Sequence, residues 1–205
     1  MPQVWPPGAK PSTSRWGVAR GGADGYDGAA NARRSRMGSQ MTAEPTVDPR
    51  QYRDVIGRFA TGVTVITWDD GESARGMTAN AISSVSLDPM LVLICVDKKV
   101  SAHPRLLASN AFAINILAHD QIEVSKVFAS HGVEGMADVP YELGQTGSPL
   151  IDGSIAWIDC EIGERLEGGD HTIFLGKVVA VSIARPDTDP LLFWAGRYRR
   201  MGEQV

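Results

Sequence analysis

Two long strand-like segments, residues 154–166 and 172–184, meet at Glu167-Gly168-Gly169-Asp170-His171. A Gly-Gly pair supplies positive φ, so the stretch predicts a long antiparallel hairpin. Ala156, Ile158, Cys160 and Ile162 fall on one face of its first strand. Four further segments read as strands. Val63-Thr64-Val65-Ile66-Thr67 is β-branched, and residues 74–86 are small and polar, ending at Leu87-Asp88-Pro89. The apolar run Met90 to Val96 is too short for a helix, and Phe112 to Leu117 follows the same pattern. Six strands joined largely by hairpins predict a mainly antiparallel β body. Closure into a barrel would remove its open edges.

Three short helices accompany the strands. Asp48 is a good N-cap and Pro49 suits the first helical position. Tyr52, Val55, Ile56 and Phe59 then make one apolar face, with Gly62 as the stop. A second helix starts at Ser101, with Leu106 and Leu107 turned inward. Asp120 caps a third carrying Ile122, Val127 and Phe128. Residues 130–149 are rich in Gly and Pro and read as a long functional loop.

Charge divides the chain. Residues 1–40 hold six basic and two acidic side chains, so the net −4 conceals an acidic body. That body disfavours nonspecific nucleic-acid binding, which needs clustered cations. Residues 1–46, dominated by Pro and Gly, read as a disordered tail before a domain at 47–205. Met41 opens more ordinary sequence, so the first forty residues read as an overextended start. No apolar run reaches the roughly 20 residues of a membrane helix, and none follows Arg33-Arg34 as an export signal would require. Cys95 and Cys160 lie in separate apolar or strand-like segments and read as buried thiols in a reducing cytoplasm.

Several chemistries are missing from the sequence. There is no dinucleotide-binding G-x-G-x-x-G, no Walker loop and no G-x-S-x-G elbow. The histidines lack metal-ligand spacing, so no metal is expected. What stands out is residues 76–86, where Thr78, Asn80, Ser83, Ser84 and Ser86 lie among small residues. Such a stretch suits a phosphate cradle, and equally a strand edge facing water. His171 follows the hairpin turn, as a cleft donor or as a solvent-exposed residue. Phe193, Trp194 and Tyr198 with Arg197, Arg199 and Arg200 form a patch for a planar ligand, the core or a subunit interface.

Three stretches in order carry a resemblance: Phe59 to Thr67 (FATGVTVIT), Gly76 to Pro89 (GMTANAISSVSLDP) and Gly169 to Gly176 (GDHTIFLG). Together they resemble the short-chain flavin reductases, the reductase components of two-component flavin-dependent monooxygenases, over residues 48–200. The resemblance implies an FMN-binding split β-barrel working as a homodimer. It also implies an NAD(P)H:flavin oxidoreductase that reduces FMN or FAD with NADH or NADPH and passes the reduced flavin to a separate monooxygenase. By the same resemblance, Thr78, Ala79, Asn80, Ser83 and Ser84 hold the ribityl chain and phosphate. Ser101 and Arg105 sit near the phosphate or adenylate end, and Thr64 with Val96 and Asp97 border the isoalloxazine. His171 lines the nicotinamide pocket as an orienting residue, and Tyr198 closes it. The alternatives are a barrel that holds flavin or haem without turnover and a purely structural barrel.

Overall fold

In the computed structural model the described residues are 47–130, 135–136 and 138–202. The predicted tail at 1–46, with its alternative start at Met41, lies outside them, as does His131. The chain opens with α1 (Pro49–Ile56), β1 (Thr61–Gly62), β2 (Thr64–Asp69), β3 (Ala74–Ala79), β4 (Ile82–Leu87) and β5 (Met90–Asp97). Next come α2 (Ala102–Ala108), β6 (Ala111–Ile116), α3 (Ile122–Ala129), β7 (Tyr141–Leu143) and β8 (Pro149–Ile151). The last four are β9 (Ala156–Gly168), β10 (His171–Ile183), β11 (Leu192–Trp194) and β12 (Arg197–Arg199).

A seven-stranded antiparallel sheet runs β3-β2-β6-β9-β10-β5-β4. Its centre is the β9–β10 hairpin, closed by Gly169 at φ 73°. The expected single strand at 74–86 is two strands, because Asn80 and Ala81 interrupt it. β3 and β4 then lie at opposite edges of the sheet. Since two residues join them, the two edges must meet at that end, and the Ala81 carbonyl accepts from the Cys95 N–H. That curl is how the chain manages its edge strands. Two smaller sheets, β1-β11-β12 and β7-β8, account for strands the sequence did not announce.

Side-chain alternation builds two cores. Ile66 and Trp68 of β2, Ile94 and Val96 of β5, Phe112 and Ile114 of β6, and Phe174 of β10 fill the first. Each full burial of this size is worth about 1.5–3 kcal/mol. Gly176 is required there, because a Cβ would lie 2.6 Å from the buried Phe112 ring. The opposite face of β2 contributes Val65 to a second core with Leu117, Phe128 of α3, Ile151 and Leu191.

The helices depart from expectation in their ends and their burial. Asp48 caps α1 through the Arg50 N–H, but the helix stops at Gly57, whose N–H bonds back to the Arg53 carbonyl. Its predicted apolar face stays open, with Phe59 just beyond it 73% exposed. In α2, Leu106 is buried but Leu107 is not. Gln121, not Asp120, is the N-cap residue of α3, and the Asp120 carboxylate pairs with Arg185 instead.

Candidate functional site

The β2–β3 hairpin, the Asp97-to-Ser101 turn, α2 and the end of α3 enclose a cavity of about 490 Å³. Its wall carries Arg75, Gly76, Met77 and Thr78 from β3, Lys99, Val100 and Ser101 from the turn, and Ala102 and Arg105 from α2. Trp68, Phe128, Ala129 and Ser130 complete it. Residues two apart on β3 share a face, and Gly76 lets that strand lie against Phe128, whose ring a Cβ would meet at 2.7 Å.

The wall is cationic and hydroxylated. Lys99 makes no ion pair among the described residues, and the Ser101 hydroxyl makes no capping bond. Arg75 Nε and Arg105 Nη1 donate to Asp70 Oδ2 at 2.8 and 2.9 Å. Burial alone would raise the Asp70 pKa. Hydrogen bonds from Ser73, Arg75, Glu72 and Arg105 outweigh it and hold this carboxyl well below the usual range. Its folded value thus lies below the ordinary carboxylate value of about 3.9. The stabilisation is complete above that pH and is lost as pH falls through the folded value. Below about pH 4, stability should therefore fall more steeply for the wild type than for Asp70→Ser, as read by acid-range urea melts. Equal slopes would contradict this.

Only three of the sequence-named residues, Thr78, Ser101 and Arg105, line this cavity. Thr78 commits its proton to the Ser125 carbonyl at 2.7 Å, leaving lone pairs. Thr64 is buried and donates to the Ala79 carbonyl at 2.6 Å. Asn80 reaches Thr61 Oγ1 at 3.1 Å, next to the joint between β3 and β4. Ser83 and Ser84 lie exposed on β4, apart from the cavity wall, and Ser83 donates to the Ser84 carbonyl. The Val96 side chain points into the first core, so it can offer a ligand only backbone. Tyr198 meets Ser125 Oγ at 2.9 Å and Phe193 edge-to-face, packed against the second core.

A second cluster sits one turn away. His171 opens β10, opposite Asp97, and its Nδ1 lies 2.8 Å from Asp170 Oδ1. That hydrogen bond and the nearby imidazole hold the Asp170 carboxyl below its ordinary value. Lys98 clasps the hairpin turn, its N–H donating to the Asp170 carbonyl and its Nζ to the Gly169 carbonyl and Glu167. His103 of α2 meets Thr172 Oγ1 at 2.8 Å, tying the cavity's helix to the strand that bears His171. The turn from Asp97 to Ser101 thus has His171 at one end and the cavity at the other.

Sequence reasoning missed Asp70, Arg75, Lys99, Trp68 and Phe128. Strand alternation with Met77 and Thr78 marks the β3 positions, and Lys99 is two residues from Ser101. The contacts of Asp70 with Arg105 and of Gly76 with Phe128 span 35 and about 50 residues and leave no local signal. Among the described residues, no group of three or more His, Cys, Asp or Glu is gathered as a metal site would need.

Residues 56–202 match the family described as flavin reductase like domain. An NADH-dependent FAD reductase of Streptomyces globisporus is 46% identical over 172 residues, covering 79% of this chain and 93% of that protein. The reductase subunit HsaB of a flavin-dependent monooxygenase from Mycobacterium tuberculosis is 37% identical, covering 74% and 82%. The solved Streptomyces globisporus NADH:FAD oxidoreductase SgcE6, in complex with NAD and FAD fragments, superposes with TM-score 0.71 at 46% identity, covering 78% and 98%. The mainly β architecture, the match over most of the chain and these identities agree, and the chain belongs to the flavin reductase-like domain family.

Proposed function

We propose that the protein is an NADH-dependent flavin reductase whose FMN or FAD sets its phosphate-bearing end in the cavity of Lys99, Ser101 and Arg105. The observation that carries this is the shared turn, which places a cationic, hydroxylated cavity next to His171. The donor set fits a flavin nucleotide. Among the described residues its ammonium is unpaired and its Ser101 hydroxyl free, which suits a phosphate, and the buried Trp68 Nε1–H on the same wall finds no acceptor; its volume lies within the ordinary ligand range. When bound, the flavin accepts hydride from the nicotinamide, so no protein nucleophile or metal is needed. The chain's own tasks are to align two rings, exclude water and let one ring leave.

In this reading Lys99, Ser101 and Arg105 hold the phosphate, and Ala79, Asn80, Ser83 and Ser84 meet the flavin where β3 passes into β4. Thr78 contributes through its oxygen, Thr64 acts by fixing the Ala79 carbonyl, and Val96 and Asp97 act through the β5 terminus. His171, oriented by Asp170, hydrogen-bonds the nicotinamide, and Tyr198 of β12, held by Ser125 of α3, borders the site. Use of NADPH is the finer question. Arg165 is one candidate for its extra phosphate, but its Nη2 is engaged by the Ser109 carbonyl; Arg197 is the other.

The reduced flavin serves a flavin-dependent monooxygenase, as in the relatives whose names describe a reductase subunit. To test that handover, the protein is confined behind a dialysis membrane without oxygen and supplied with NADH and excess flavin. Flavin should bleach on both sides. Bleaching limited to one equivalent per protein would favour a flavin-holding role instead.

A homodimer belongs to the same proposal. Val85, Leu87 and Met90 around the β4–β5 hairpin and Val181 and Ile183 of β10 are 47–83% exposed, an apolar surface suited to a second copy. Sedimentation velocity should show twice the chain mass. A cytoplasmic location is proposed from the two unpaired thiols, of which burial and the neighbouring Asp159 push Cys160 up to about 12. No helix among the described residues is long and apolar enough to cross a membrane.

A further inference from the structure

Asp70 is not explained by hydride transfer, which needs no acid here, and a bare carboxylate beside an anion site would repel the ligand. Its bonds point in two directions. Oδ1 accepts the Glu72 and Ser73 N–H groups at 3.1 and 2.9 Å, closing the β2–β3 turn. Oδ2 accepts Arg75 Nε and Arg105 Nη1. The carboxylate is 7% exposed and the Arg75 side chain 10%, whereas Arg105 is 41% exposed.

We propose that Asp70 is a positioning residue for the flavin's phosphate-bearing end, fixing Arg75 and Arg105 so that their remaining N–H donors face the cavity. This rests on the reading that the cavity takes that end. A guanidinium has five N–H donors in a rigid fork. Anchoring Nε of one and Nη1 of the other leaves the rest oriented rather than flexible. Without Asp70, the other carboxylate near Arg105 is Glu72, 3.7 Å away and 79% exposed, which would draw the side chain towards solvent. Arg75 would keep a buried charge with no acceptor and would have to move.

Riboflavin, which lacks the phosphate, separates this role from a structural one. Asp70→Ser keeps a hydroxyl for the turn N–H groups but removes the guanidinium acceptor. Flavin fluorescence titrations of the full chain should show FMN and FAD weakened by about tenfold and riboflavin by no more than about twofold. If Asp70→Ser does not fold, Asp70→Asn is titrated the same way, with the same selective loss expected. Arg105→Met serves as the control for the underlying reading and should also weaken only FMN and FAD. If it does so while the Asp70 variant binds FMN and FAD unchanged or more tightly, the positioning role is overturned and the cavity reading stands. Equal weakening of all three flavins by the Asp70 variant makes it purely structural and also overturns the proposal. No selectivity from Arg105→Met overturns the cavity reading and the proposal with it.

Discussion

Asn115→Leu should remove about 3 kcal/mol of stability, because it strips a buried amide from several backbone partners at once. Asn115 is fully buried on β6, facing away from the first core. Its Oδ1 accepts the Ile151 N–H at 2.7 Å, and its Nδ2 donates to Thr67 Oγ1 at 2.9 Å and to the Val65 carbonyl at 3.2 Å. These bonds fasten β8 across β2 and β6, and Thr67 adds a bond to the Pro149 carbonyl. Leucine keeps the branched shape, though it is bulkier, but leaves the Ile151 N–H buried and unpaired, which is the expensive half of losing a hydrogen bond. Urea unfolding should show a lower midpoint with an unchanged m-value. A loss under about 1 kcal/mol would mean that water or a shifted β8 replaces the amide.

The largest functional effect is expected at His171. His171→Ala should raise the KM for NADH about tenfold, the equivalent of one hydrogen bond, with kcat changed by no more than a few-fold. Flavin affinity should stay the same, because His171 does not line the cavity. The split between KM and kcat carries the interpretation. An orienting residue contributes similarly to ground and transition states, so its loss appears mainly in KM. A fall in kcat beyond about a hundredfold at unchanged KM would instead assign His171 to transition-state stabilisation.

Segments with a complete local pattern were legible from sequence. The β9–β10 hairpin has both strands and its Gly-Gly turn in one stretch, and β5 is a bounded apolar run. The Asp48-Pro49 start of α1 depends only on adjacent residues. Where tertiary contacts decide, the sequence was silent. Residues 74–86 are uniformly strand-like, and only the long-range pairing order, with β3 on β2 and β4 on β5, places β3 and β4 at opposite edges of the sheet. Asp120 is a good cap by type, yet Arg185, 65 residues away, takes its carboxylate.

The site divides on the same principle. Of the residues that the family resemblance names, the fold brings Thr78, Ser101 and Arg105 to one cavity and sets His171 outside it, at the hairpin turn. The hub at Asp70 was not, because its two guanidiniums come from different elements. Nor does a one-dimensional pattern tell whether Tyr198 faces a ligand or Ser125; the fold gives its hydroxyl to Ser125.

The most direct test is steady-state NADH oxidation by the purified protein with FAD, FMN or riboflavin added. The proposal predicts turnover that requires added flavin and continues for many equivalents per protein, with NADPH run alongside. Flavin binding at the Lys99–Ser101–Arg105 cavity without turnover from either nucleotide would contradict it and make the protein a flavin-holding barrel.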